Sequence, residues 1–574
     1  MLGTVYRAEG RWEEAEQLEL QVMKSRKTKL GEDHPDTLVS ISNLASTYSS
    51  QGRWEEAEQL KLQVMKSRKT KLGEDHPDTL TSISNLASTY SSQGRWEEAE
   101  QLKLQVMKSR KTKLGEDHPD TLTSISNLAS TYSSQGRWEE AEQLKLQVMK
   151  SRKMKLGEDH PDTLTSIANL ASTYSSQGRW EEAEQLEVQL VETSKTKLGE
   201  DHPNTLASIS NLASTYSSQG RWEEAEQLEL QVMKSRKTKL GEDHPSTLTS
   251  MANLASTYNY QGRWEEAEQL QVQVMDTRKT NLGEDHPSTL TSMANLASIY
   301  SSQGRWEEAE QLEVQAIETR KTKLGEDHPD TLTSIANLAS TYSFQGRWEE
   351  AEQLEVQLVE TSKTKLGEDH PNTLASMANL ASTYSSQGRW EEAEQLEVQL
   401  VETSKTKLGE DHPNTLASMA NLASTYSSQG RWEEAEQLEV QLVETSKTKL
   451  GEDHPDTLAS IANLASTYSS QGRWEEAEQL EVQLVETSKT KLGEDHPDTL
   501  TRMASLAVTW KYSARNAEAI DLLRNCINKQ QQTLGRHHPT VLFNSETLFE
   551  WETDAILLAE LERGTDEEWE TDSE

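Results

Sequence analysis

Apolar residues in this chain fall three and four apart, in blocks that return every 42 residues. In the stretch 430–471, Trp432, Ala435, Leu438, Leu442 and Val443 share one helical face, and Leu458, Ile461, Leu464, Ala465 and Tyr468 share another. The spacing predicts two helices per unit. Helix B starts at Arg431-Trp432 and runs to about Leu450, and Gly451 is expected to end it in the left-handed C′ conformation. Glu452-Asp453-His454-Pro455 forms a short connector. In twelve successive units the residue after the proline is Asp, Asn or Ser (Asp36, Asn204, Ser246, Asp456), the preferred set for an N-cap, so it is read as the cap of helix A. Helix A stops before Gly472. Nearly all of the 27 glycines and all 13 prolines fall between these helices, and no proline lies inside one, as unkinked helices require.

The string Gly-Arg-Trp-Glu-Glu-Ala-Glu-Gln-Leu occurs twelve times, from Trp12 to Trp474. A fixed period of this length marks a repeat array, in which each unit buries its apolar face against its neighbours. Residues 1–513 are therefore read as tandem repeats whose first helix A is truncated, because Leu2-Gly3-Thr4-Val5-Tyr6 aligns with Leu44-Ala45-Ser46-Thr47-Tyr48. Residues 514–563 read as a degenerate repeat and cap, with Ala514-Arg515-Asn516 in place of Gly-Arg-Trp. Residues 564–574 read as an acidic disordered tail.

Charge narrows the partners. With 58 Lys+Arg against 97 Asp+Glu the formal net charge is −39, which argues against nucleic acid and against an anionic membrane surface. Cys526 is the single cysteine, so neither a disulfide framework nor a cysteine-based zinc site is expected. No secretory signal or membrane span is legible, and a cytoplasmic location is the expectation. Catalysis has no foothold, because every candidate nucleophile, acid or base recurs from unit to unit whereas an active site needs one asymmetric constellation. Glu452-Asp453-His454 is too local to surround a metal. No cofactor is expected. Ser466, Thr467 and Ser469 read as a polar helix face, and the tryptophans as core.

Leu-Ala-x-x-Tyr followed by Gly-Arg-Trp, with Ala three residues after the Trp, resembles the tetratricopeptide repeat. The 42-residue period with Leu-Gly-x-Asp-His-Pro-Asp between units is similar to the kinesin light chain subclass. The near-identical tandem units also look like the C-terminal arrays of fungal nucleotide-binding (NB-ARC or NACHT) receptor-like proteins. The resemblance implies an all-α fold, a right-handed superhelical solenoid of antiparallel helix pairs, with a groove for a peptide or protein. The function it implies is a non-catalytic interaction scaffold. The alternatives are a sensor array for an upstream ATPase or effector and a motor-cargo adaptor. Two departures weigh against the adaptor: this chain has no heptad coiled coil, and Glu439, Gln441 and Glu481 stand where basic residues face the cargo groove in kinesin light chains.

The candidate site is an asparagine ladder: Asn43, Asn85, Asn127, Asn169, Asn211, Asn253, Asn295, Asn337, Asn379, Asn421 and Asn463. The resemblance places this helix-A position on the groove, where a carboxamide can pair with the backbone of an extended peptide. The competing reading is a buried hydrogen bond between repeats. Tyr260 and Phe344, which replace Ser at the end of helix A, are candidate exposed anchors. The charge also drifts. Unit 52–93 carries six basic against six acidic residues and unit 430–471 three against eight, with Lys61 and Lys66 replaced by Glu439 and Glu444, so a basic partner is expected for the C-terminal half.

Overall fold

The computed structural model describes residues 3, 6–7, 11–51, 53–536 and 538–570, with side chains through residue 556. The expected truncated first helix therefore lies largely outside the described residues. Among those described there are 26 helices and no strand. Helix B spans Trp12–Leu30 and its equivalents, shortening by one residue from Trp390–Lys407 onward, and helix A spans Pro35–Ser50 and its equivalents. The segment from residue 564, expected to be disordered, continues the last helix, Pro539–Glu570. Residues 571–574 lie outside the described ones.

The chain forms two compact units. The first comprises Met1–Tyr260, Glu265–Tyr300 and Trp306–Leu380, and the second Gln261–Trp264, Ser301–Arg305 and Ala381–Glu574. In each, helix A lies between two B helices. In the first unit Leu38 and Ile41 pack against Met23 of the preceding helix B and against Leu60 and Val64 of the following one. In the second, Leu416, Met419 and Leu422 pack between Val401 and Leu442. The alanine three residues after each Trp is fully buried, which lets helix B approach its neighbours closely. The last repeat closes with Trp551 over Ala519, Leu523 and Ile527.

Two expectations about helix ends are corrected. The N-cap of helix A is the histidine before the proline: His34 is extended (φ −66°, ψ 137°) and its Nδ1 accepts from the N–H of Asp36 at 3.2 Å. Proline occupies N1, where it has no N–H to offer, so the first orphan donor belongs to the residue after it. Asp, Asn or Ser there is a first-turn residue rather than the cap. At the other end, Gly31 has φ +94° but ψ +165°, an extended conformation open to glycine rather than a left-handed helical one.

Candidate binding surface

None of the eleven asparagines is buried. Asn85, Asn127, Asn211, Asn253, Asn295, Asn421 and Asn463 are exposed, and Asn43, Asn169, Asn337 and Asn379 are half-buried. Leucine and alanine follow each of them into the core while the asparagine faces outward, because the preceding Ile or Met and the following Leu fix which arc of helix A is buried. Asn253 Nδ2 donates to Glu229 Oε1 at 3.4 Å. The ladder thus presents amides at the same register in consecutive repeats.

Beneath it lies a row that sequence reasoning placed wrongly. Glu439 and Glu481 were expected on the groove, yet they are 2% and 7% exposed. They belong to a helix-B position, seven residues after the Trp, that is also occupied by Glu187, Glu229, Glu313 and Glu397, all buried. Each reaches toward helix A of its own repeat, where Thr467 donates to Glu439 and Thr425 to Glu397, while the second carboxylate oxygen has no partner. Desolvation raises these carboxyls to about 7, the threonine hydrogen bond opposing it. The first repeat uses the buried Glu19, and in the second to fourth repeats lysine takes the position. Lys103 Nζ donates to Thr131 Oγ1 at 2.6 Å and Ser91 Oγ at 3.1 Å, and burial lowers it to about 8. The seventh repeat uses Gln271, whose Nε2 donates to the Ser292 carbonyl at 3.0 Å, and the last uses the buried Leu523. Thr467, read as part of a polar face, is therefore inside, 1% exposed.

Between repeats, Arg53 clasps three elements. It pairs with the Glu56 carboxylate one turn on, reaches Glu16 of the preceding helix B at 2.9 Å, and lies over the Tyr48 ring at 4.0 Å. The same cluster recurs at Arg95 and Arg473, with the Arg95 hydrogen bond holding Glu98 below the usual carboxylate range. Such half-exposed pairs each add little, so the clasp sets geometry more than stability.

The tryptophans of the Gly-Arg-Trp corners are not core, which corrects that expectation. Trp390 and Trp432 are 40% exposed. At Trp12, Trp96 and Trp264 the ring is a platform for a distant connector. In the first unit Trp12 stacks on His286 at 4.3 Å and Trp96 on His370 at 5.0 Å. The same histidines donate from Nε2 to the last carbonyls of earlier A helices: His286 to Ser50 O at 3.2 Å, His328 to Ser92 O and His370 to Ser134 O at 3.0 Å, always 236 residues apart. The second unit repeats the stack at Trp264 and His538. Because Nδ1 accepts the cap N–H and Nε2 donates, the ring is bound as its neutral tautomer. Burial accordingly lowers His286 to about 4. The array in each unit thus folds back so that a later His-Pro connector sits on an earlier Gly-Arg-Trp corner.

That contact has a direct test in glycine. Gly94 (φ +73°) would place a Cβ 2.6 Å from Pro329, whereas Gly346 (φ +74°) would meet nothing within 4 Å. Gly346→Ala is expected to cost on the order of 1–2 kcal/mol of backbone strain. Gly94→Ala is expected to cost about 1–3 kcal/mol more from overpacking. Local stability by native-state hydrogen exchange separates the two, and equal losses would contradict the contact.

Tyr260 and Phe344 are indeed exposed, joined by Tyr512. Tyr260 stacks on Trp222 and Tyr512 on Trp474, so these aromatics cover neighbouring tryptophans. Cys526 is buried, donates to the Leu500 carbonyl at 3.0 Å, and is raised by burial to about 12. No group of metal-binding side chains occurs among the described residues, and none of the described helices is long and apolar enough to cross a membrane.

Two family models described as tetratricopeptide repeat match most of the sequence. One matches residues 1–70, 78–154, 120–196, 230–280 and 246–322, and the other 205–246 and, in successive 42-residue pieces, 331–540. No curated protein matches. Among solved structures, a Podosopora anserina protein described as a kinesin light chain with nearly identical TPR-like repeats is 35% identical, and a variant of it gives the same figures. The match covers 36% of this chain and 97% of that one, with a TM-score of 0.32. BtubC (BKLC) from P. vanneervenii is 21% identical over 42% of this chain and 91% of its own, with a TM-score of 0.31.

Proposed function

The chain belongs to the tetratricopeptide repeat family, and we propose that it is a non-catalytic scaffold that holds an extended peptide or protein partner against the asparagine-bearing face of its A helices. The observation that carries this reading is the exposure of the ladder: asparagine disfavours helix, and here it is repeated where it does not serve the core. A carboxamide donates and accepts at once, so a row of them suits a peptide backbone without demanding one sequence. Side-chain specificity then comes from the residues around it. In the C-terminal half the exposed Glu402, Glu444 and Glu486 favour a basic segment, whereas the buried Glu439 and Glu481 add little to the field.

Panning a random peptide library on the full chain supplies the test. Asn295→Ala, Asn337→Ala and Asn379→Ala together are expected to weaken selected peptides roughly tenfold or more, about 1.4 kcal/mol, with the melting temperature unchanged or raised. Peptides held by residues 381–513 are expected to be rich in Lys and Arg and to weaken with salt. Undiminished binding by the triple variant would refute the ladder. A stability loss of about 1–3 kcal/mol per site would instead identify the asparagines as structural.

A further inference from the structure

The contact between a His-Pro connector and an earlier Gly-Arg-Trp corner has two sides, and each is exposed in one set of repeats. In the early repeats the connector side is bare. The side chains of His34, His76 and His118 are 40%, 40% and 39% exposed, against 7% for His328, whose Nε2 is engaged. The leucine that ends helix B behaves alike: Leu30, Leu72 and Leu114 are exposed, whereas Leu282 and Leu324 are half-buried and line, with Trp12 and Trp54, the cleft of about 1300 Å³ beside the contact. In the late repeats the corner side is bare. A Cβ at Gly388 or Gly430 would meet nothing within 4 Å, where Gly94 and Gly136 lie against Pro329 and Pro371, and the adjoining Trp390 and Trp432 rings are open.

We propose that these two surfaces bind each other between copies of this chain: the Leu-His-Pro patch of early repeats in one copy docks on the Trp-Gly corners of late repeats in the next. The occupant is a second copy because the complementary half of a contact already formed within both compact units is displayed on the same polypeptide. His76 stacks on a tryptophan of the other copy and donates from Nε2 to the last carbonyl of its helix A, as His370 does on Trp96 and Ser134. The leucine covers the remaining apolar surface. Charge selects the orientation. The early unit 52–93 balances six basic with six acidic residues, while the late unit 430–471 has three against eight, so late-to-late pairing would join like charges and early-to-late pairing does not. Such an interface is heterologous, which allows a chain of copies to grow rather than closing at a symmetric dimer.

Complementation tests both the contact and its polarity. By sedimentation and light scattering of the full chain, the mass is expected to rise from one copy to two and more with concentration. A variant of the early patch (Leu72→Glu with Leu114→Glu) and a variant of the late corners (Trp390→Ala with Trp432→Ala) are each expected to remain single copies. Mixed in equal amounts they are expected to form a dimer and stop there, since only one pair of intact surfaces remains. Circular dichroism confirms that each variant is helical, and dimer formation in the mixture shows that both kept a working surface. The proposal falls if the wild-type chain remains a single copy up to about 100 μM, where a micromolar contact would be saturated. It falls also if either variant alone associates like the parent, or if two helical variants fail to combine.

Discussion

Raising the pH from 5 to 8 is expected to loosen the repeats that carry Glu313, Glu397, Glu439 and Glu481 while leaving those with Lys103 and Lys145 nearly unchanged. The folded carboxyls hold their proton up to about 7 because burial disfavours the charged form, whereas the unfolded chain releases it near 4.5. Between those values the folded state binds more protons than the unfolded one. Stability is therefore fully present below 4.5, falls across the window, and is lost above 7, by about 3 kcal/mol per site at most. The lysines run the other way. Their folded values near 8 lie below the ordinary 10.5, so the penalty of burying them is complete below 8 and is relieved as the pH climbs toward 10.5. One protein thus has two sets of repeats that respond to alkali with opposite sign. Amide exchange by mass spectrometry, corrected for its intrinsic pH dependence, reads both in a single sample. Replacing Glu397, Glu439 and Glu481 by Gln is expected to flatten the acid-side response and stabilise the late repeats at pH 8, as Gln271 already does in this position by bonding the Ser292 carbonyl. Parallel pH responses from the glutamate and lysine repeats would show that the row is not titrating as described.

The two helices per unit and their approximate bounds, though not their caps, were legible because periodicity, glycine and proline all agree at those points. Ala435, Leu442, Val443, Leu458, Ile461, Leu464 and Ala465 are buried where the three-and-four spacing puts them. The same spacing also put Glu439 inside, four residues after Ala435 and four before Val443. Residue type misled there: a carboxylate reads as solvent-facing, and only the threonine one helix away explains how the core accepts it. The cap was misplaced for a similar reason, since histidine is not in the usual capping set and acts here because proline hands it the next N–H. That Trp12, Trp96 and Trp264 stack on connector histidines was not legible at all. Those partners lie hundreds of residues away, at a separation set by how each small turn between repeats accumulates, and no local pattern encodes that sum. The asparagine ladder sits between these cases: its outward face follows from the register of helix A, but its partner does not.

Removing one whole unit, residues 94–135, is expected to leave a folded, fully helical chain, whereas removing only its helix B with the preceding corner, residues 94–114, is expected to unfold the surrounding repeats. In the whole-unit deletion every helix A still lies between two B helices, because the new neighbour presents the same side chains as the old one. The connectors and tryptophan corners also recur with the same period, so a later connector still finds an earlier corner, one repeat displaced. In the half-unit deletion Leu80, Ile83 and Leu86 lose Leu102, Val106 and Ala99 from one side, and a second helix A arrives bearing a face shaped for helix B. At roughly 1.5–3 kcal/mol for a large side chain returned to water, this comes to several kcal/mol, comparable with the whole stability of a domain. The loss is also not confined to one repeat, because each repeat leans on its neighbours for burial and a gap exposes apolar surface on both sides. Urea melts followed by circular dichroism separate the two cases: a single cooperative transition close to the parent for the whole-unit deletion, and a lost or strongly shifted transition for the half-unit one. Similar melts for both deletions would mean that helices A and B are interchangeable in packing, which the distinct residues they bury do not allow.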